Sequence, residues 1–204
     1  YADAAKRHYE TACNYVIRDD ASAYHTFYFD PETGAPLKGV TRQGYSDDSA
    51  WARGQAWGIS GIPFNYRYTK DESAFNLFEG MTNYFLNRLP ADDVCYWDLI
   101  FGDGSGQSRD SSAAAVAVCG MHEMMKYLPE TDEEKETYRR AMHGILRSLI
   151  QGYVNPDMHP GAPILLHGVY SWHSGKGVDE GNIWGDYFYM EALLRFYKDW
   201  QLYW

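Results

Sequence analysis

The sequence predicts an all-α fold of three αα-hairpins, because two kinds of helical pattern alternate three times along 204 residues. One kind is amphipathic and charged; the other is nearly uncharged and rich in small or aromatic residues. A long loop precedes each helix of the second kind. A helix that is apolar on most sides is buried on most sides, so an outer helix followed by an inner one, three times over, describes part of a toroid or solenoid.

The first outer helix is predicted over 2–18 (ADAAKRHYETACNYVIR), with apolar residues at three- and four-residue intervals. Loop 19–49 contains a hairpin signal: YHTFYF (24–29) is strand-like, DPETG (30–34) is a turn string and APLKGVT (35–41) returns. Pairing about that turn places His25 near Gly39 and brings Arg42 and Gln43 to the same open end. The inner helix 50–68 (AWARGQAWGISGIPFNYRY) follows. Gly54, Gly58 and Gly61 share one face of it, which predicts close helix approach, and Pro63 predicts a kink.

The second outer helix is 71–89 (DESAFNLFEGMTNYFLNRL), and its inner partner after loop 90–110 is 111–127 (SSAAAVAVCGMHEMMKY). The small residues Ala113 to Ala117 suit a tightly packed position there. The third outer helix, 133–152, carries a capping-box signature from Thr131 to Glu134. Loop 153–183 gathers Ser171, His173, Ser174 and Lys176 between glycines and tryptophans, ahead of inner helix 184–200. Each long loop thus lies at the N-terminal end of an inner helix, on one rim, where loops on a rigid scaffold carry binding and helix dipoles favour anions. Three hairpins do not close a ring; a closed barrel of twelve helices at this spacing needs roughly 400 residues. The chain also opens at Tyr1 within a helical pattern. It is therefore read as the C-terminal half of a larger single domain whose N-terminal half is missing.

The net charge of −10, with no run of Lys or Arg, argues against nucleic acid and against an anionic membrane surface. No apolar run approaches a membrane span. Eighteen Tyr and seven Trp present flat apolar faces with polar edges. Such rings suit a sugar-like ligand, although helix packing uses them as well. Cys13, Cys95 and Cys119 are too scattered for a disulfide framework; reduced, buried thiols fit a cytoplasmic protein.

Arg53, planar and permanently charged, can clamp a carboxylate; the structural alternative is an ion pair with Asp47 or Asp48. His25 can be a catalyst or a structural hydrogen-bonder. Trp51 shares a helical face with Gly54 and Gly58, with Trp57 close by. By residue type alone Asp98, Asp103 and Asp110 are acid/base candidates, but Asp110 ahead of Ser111 and Ser112 reads as a helix N-cap, and Asp186 admits the same reading. His159, His167 and His173 lack any metal-binding spacing, and no phosphate-cradling glycine motif or nucleophile elbow occurs, so neither metal nor cofactor is expected.

SAWARGQAWGISG (49–61), YWD with RDSSAAAVAVCG (96–120) and LLHGVYSWHSGKGVDEGNIWGDYFYMEALLRFYKDW (165–200) resemble the unsaturated glucuronyl hydrolases of glycoside hydrolase family 88. The likeness runs from Ala2 to Trp204. It implies an (α/α)6 barrel and hydrolysis of unsaturated glucuronyl disaccharides that lyases release from glycosaminoglycans. In that chemistry the C4=C5 vinyl ether is protonated at C4, water adds at C5, and the hemiketal collapses to break the glycosidic bond. The resemblance places the family's aspartate pair upstream of the matching region, so no catalytic residue is assigned here and the isolated chain is expected to be inactive. It assigns substrate contacts to His25, Gln43, Trp51, Arg53 and Trp57. It also assigns sulfate contacts on sulfated disaccharides to Arg42, Ser171, Ser174 and Lys176, a set whose hydroxyls, ammonium and guanidinium can meet three sulfate oxygens. The alternatives are a non-catalytic carbohydrate-binding or scaffold protein of the same fold, and a hydrolase of pectin-derived unsaturated galacturonides.

Overall fold

The computed structural model describes residues 1–199 and residue 201. Among them the helices run in the expected alternation: α1 (Ala2–Tyr15), α2 (Ala52–Thr69), α3 (Ser73–Leu86), α4 (Ser111–Met125), α5 (Glu134–Gly152) and α6 (Ile183–Tyr197). The helix expected over 184–200 closes at Tyr197, and Trp200 lies outside the described residues. None of these helices is long and apolar enough to cross a membrane.

The core is organised by α4. Every residue from Ser111 to Met121 is buried, as its nearly uncharged sequence requires. It packs between α2 and α6, with α5 behind it and α3 behind α2. A Cβ on Gly120 would lie 2.6 Å from the Ile59 carbonyl oxygen, so glycine there lets α4 and α2 touch backbone to backbone. Phe78 of α3 meets Tyr138 of α5 edge-on at 5.4 Å, closing the outer layer. At the far end of the same helices, Arg195 donates to Glu123 (2.8 Å) and to Glu191 (2.7 Å), bolting α6 to α4.

Four expectations need correction. The Gly54–Gly58–Gly61 face is only partly used for helix approach: Trp51 lies over Gly54, the Met81 side chain of α3 meets Gly58, and nothing approaches Gly61. The capping box fails because α5 starts at Glu134, too late for that residue to be its third position; Asp132 accepts the Glu134 N–H instead, at 2.9 Å. Asp186 does not cap α6; Asn182 does, accepting the Gly185 N–H at 2.7 Å. The fold is also not purely helical, since two antiparallel hairpins interrupt the loops.

The first hairpin, β1 (Thr26–Phe29) with β2 (Pro36–Val40), was legible from its turn string. Its register pairs Phe27 with Gly39, so His25 lies beyond the ladder and not beside Gly39. The second, β3 (Gly168–Ser171) with β4 (Lys176–Glu180), falls inside what the sequence presents as a loop. Its turn is Trp172–Gly175, too aromatic to read as a turn. Helix α1 is the outlier of the helical layer: it is amphipathic, yet none of its residues is buried.

Candidate functional site

The three long loops meet at the N-terminal ends of α2, α4 and α6. Ala52 N–H donates to the Trp97 carbonyl (3.1 Å), and Leu99 N–H to the Ala50 carbonyl (2.9 Å). Ser111 joins the third loop, its N–H donating to the His167 carbonyl (3.2 Å) and its hydroxyl to the Leu166 carbonyl (2.6 Å). Asp98, fully buried, accepts from Tyr45 N–H (2.8 Å) and from the Ser49 hydroxyl (2.7 Å), fixing the end of the first loop.

His25, Trp51 and Trp57 line one cavity of about 610 Å3, with Gly54, Gly58 and Met81 on its floor. A concave, mostly apolar site with a few polar groups is the usual form of a small-ligand pocket. The imidazole of His25 meets the Trp51 indole edge-on at 4.8 Å. Its Nδ1 accepts two backbone N–H groups, from Arg42 (2.8 Å) and Gln43 (3.3 Å). Nδ1 must therefore be the bare nitrogen, and Nε2 carries the proton. Burial, then the charges of Arg42 and Arg53, hold its pKa below the ordinary histidine value, so the ring stays neutral.

Arg53 is not the open clamp its residue type suggests. It is buried, ion-paired with Asp110, and donates to the carbonyls of Val169 (2.6 Å) and Tyr170 (3.0 Å). A longer contact, 3.4 Å, reaches the Gln43 side-chain oxygen. Its guanidinium also lies over the rings of Trp51 (4.5 Å) and Trp184 (5.3 Å). Asp47 and Asp48, the partners the sequence offered, take no part: Asp47 instead accepts the Thr41 N–H. Asp110 precedes α4 but its carboxylate makes no cap; it is spent on Arg53 and on the Ser112 hydroxyl. Asp103 accepts the Ala91 N–H and pairs with Arg109, and Asp186 accepts the N–H groups of Ile164 and Leu165. Each of these carboxylates holds backbone or an arginine in place.

Arg42, Ser174 and Lys176 are exposed, and Ser171 is half-buried. Arg42 donates to the Tyr28 hydroxyl (3.0 Å), and the Ser174 hydroxyl to the Ser171 carbonyl (3.3 Å). The two halves of the rim are joined directly: His173 Nε2 stands 2.6 Å from the Gly44 carbonyl oxygen, two residues after Arg42. Among the described residues no group of three or more His, Cys, Asp and Glu could hold a metal ion. His159, His167 and His173 instead face the Pro160 carbonyl, Asp179 and Gly44 respectively.

No family model matches the chain. Individual relatives do. Over all 204 residues it is 73% identical to an unsaturated chondroitin disaccharide hydrolase of Streptococcus pyogenes serotype M1, spanning 51% of that protein. The structure of unsaturated glucuronyl hydrolase from Streptococcus agalactiae superimposes with a TM-score of 0.94 at 72% identity, over 97% of this chain and 50% of that one. A mutant of the same S. agalactiae enzyme, complexed with dGlcA-GalNAc6S, gives a TM-score of 0.92 at 71% identity, over 99% and 54%. Over its whole length the chain is similar to the unsaturated glucuronyl hydrolases. It spans about half the length of these relatives, whose fold is an (α/α)6 barrel.

Several features of this rim are invisible in the sequence. Tyr9, Cys13 and Ile17, from α1 and just after it, form the far wall of the cavity. Trp172 stacks on Trp97 at 4.9 Å with planes 10° apart. Neither contact has a local signal, because each joins positions far apart in the chain.

Proposed function

We propose that this chain is the C-terminal half of an (α/α)6 unsaturated glucuronyl hydrolase. In this reading it supplies the rim that binds an unsaturated, sulfate-bearing glycosaminoglycan disaccharide, while the acid that protonates C4 lies outside residues 1–204. The observation that carries this is the cavity uniting His25, Trp51 and Trp57, with Gln43 bonded to His25 and the neighbouring loop residue Gly44 bonded to His173 of the turn that also holds Ser174. Neutral His25 offers an Nε2 donor to a uronate oxygen. Trp51 and Trp57 offer ring faces to the sugar. Arg53 sets the shape of the rim, and the exposed Arg42, which also donates to the Tyr28 hydroxyl, and Lys176 are the cations offered to a sulfate. The complex of the S. agalactiae mutant with dGlcA-GalNAc6S supports a sulfated ligand.

Support for the half-barrel comes from α6, where Ile183, Tyr187, Met190 and Tyr197 form one exposed apolar stripe at helical spacing. The carboxylates of this rim support placing the acid elsewhere, since Asp98, Asp110 and Asp186 are all committed to structural bonds. The test is turnover of unsaturated chondroitin disaccharides, followed by loss of the unsaturated uronate's ultraviolet absorbance. Purified residues 1–204 should leave the signal unchanged, whereas the full-length protein consumes it. In the latter, Arg42→Ala or Lys176→Ala should lower kcat/KM about tenfold on the sulfated substrate and spare the unsulfated one, as for a lost charge-assisted hydrogen bond. Turnover by residues 1–204 alone would move the acid into this chain, and equal losses on both substrates would end the sulfate reading.

A further inference from the structure

We propose that Trp172 and His173 are positioning residues: they clasp the β3–β4 hairpin onto the first loop and thereby set the spacing between Arg42 and Lys176. The inference rests on the sulfate reading above, and adds what holds the two cations at a working distance.

A two-stranded ribbon is marginal by itself and needs packing to persist. Here β3 lies against α4, but β4 and the turn are largely exposed. Ser174 and Lys176, two of the residues assigned to sulfate, sit on that exposed part. Something must fix it, and two side chains of the turn itself do so.

Trp172 supplies depth. Its indole stacks on Trp97, which is fully buried and is itself oriented by a 3.0 Å hydrogen bond from Nε1 to the Gln107 side chain. Stacked aromatic pairs favour a fixed separation, so the turn cannot slide outward without losing the contact. His173 supplies lateral register. Its Nε2 donates to the Gly44 carbonyl at 2.6 Å, and its ring meets Trp97 edge-on at 5.9 Å.

The acceptor is itself rigid. Gly44 is buried, its N–H donates to Thr41 Oγ1 (2.7 Å), and a Cβ there would fall 2.6 Å from that oxygen and 3.0 Å from Asp98. Arg42, two residues earlier, has its own N–H pinned to His25. One side of the clasp is therefore the Arg42 loop, and the other is the Ser171–Lys176 turn. Within the turn, Gly175 N–H returns to the Trp172 carbonyl at 3.0 Å, so moving Trp172 moves Ser174 and Lys176 with it. Arg53 holds the root of the same hairpin through Val169 and Tyr170, which leaves the tip to Trp172 and His173.

The experiment uses the full-length protein with Trp172→Ala, His173→Ala and the conservative Trp172→Phe and His173→Gln. Two readouts are taken: kcat/KM on sulfated and unsulfated unsaturated disaccharides, and amide hydrogen exchange over 168–180. The alanine variants should speed exchange at the hairpin tip. They should also lower the sulfated-to-unsulfated ratio by about tenfold, mainly through KM. The conservative variants should recover most of both. Faster exchange with equal losses on the two substrates would overturn the proposal, leaving Trp172 and His173 as anchors without a part in specificity. Unchanged exchange would overturn it as well, because the tip would then need no clasp. Arg42→Ala and Lys176→Ala separate this failure from that of the sulfate reading: if they shift the ratio while the clasp variants do not, only the clasp is wrong. If they leave the ratio unchanged, the sulfate reading itself falls.

Discussion

Arg53 and Arg195 are each 3% exposed, yet they hold different kinds of structure. Arg195 lies between two glutamates on packed helices, a bolt inside a regular layer. Arg53 has one carboxylate, Asp110, and spends its other donors on carbonyls of β3 and a side-chain amide. The difference shows where this molecule uses buried charge for packing and where it uses it to shape a rim.

The largest expected effect follows from that contrast. Arg195→Ala takes the guanidinium from two buried carboxylates, of which Glu123 keeps Lys126 and the Tyr127 hydroxyl, and should destabilise the full-length protein by about 4 kcal/mol, within the range for breaking a buried ion pair. Arg53→Ala should cost about 3 kcal/mol, because the Ser112 hydroxyl still donates to Asp110. Denaturant melts check the magnitudes. Hydrogen exchange checks the character: loss of Arg53 should loosen 168–180 selectively, whereas loss of Arg195 should lower the global midpoint. Equal, global effects at both sites would erase the distinction.

A smaller effect is pH-dependent and belongs to the Arg195 end. His122 is packed against Phe196, and burial, followed by the charges of Arg195 and Lys126, pulls its pKa down to about 4 from an ordinary 6.5, with Glu123 opposing. The unfolded chain takes up this proton first, so between those two values it binds more protons than the folded state, and stability falls as pH is lowered. Above about 6.5 the penalty is absent. His25 acts with the same sign at the rim. Melting temperature against pH should therefore decline through this window, and His122→Phe should flatten the decline. An unaltered acid limb in His122→Phe would assign it to other groups.

The smallest effects concern glycines. Gly120→Ala should cost about 1–3 kcal/mol by forcing α4 off the α2 backbone. Gly61→Ala meets nothing within 4 Å and should be neutral or stabilise α2 by up to about 1 kcal/mol. A clear cost at Gly61 in the full-length protein would reveal a helix packed on that face, which the half-barrel reading invites.

The sequence by itself determined the alternation of outer and inner helices, because amphipathic spacing and its absence are local properties written every three or four residues. It also made the first hairpin legible, through the DPETG turn string. Of the nine site residues that the resemblance implies, the structure places His25, Trp51 and Trp57 in one cavity, with Gln43 bonded to His25. What only the tertiary structure decided was the partner of each buried charge and the form of the third loop. Arg53 pairs with Asp110, 57 residues away, and not with the nearby Asp47 or Asp48. The second hairpin closes through a turn whose Trp172 and His173 find their contacts on Trp97 and Gly44, 75 and 129 residues distant in the chain. The fully spaced glycine face of α2 borders a cavity because α1 stands off it. The physical reason is common to all of these: secondary structure answers to neighbours along the chain, whereas hydrogen-bond satisfaction of a buried charge and the stacking of an indole answer only to what folding brings beside them.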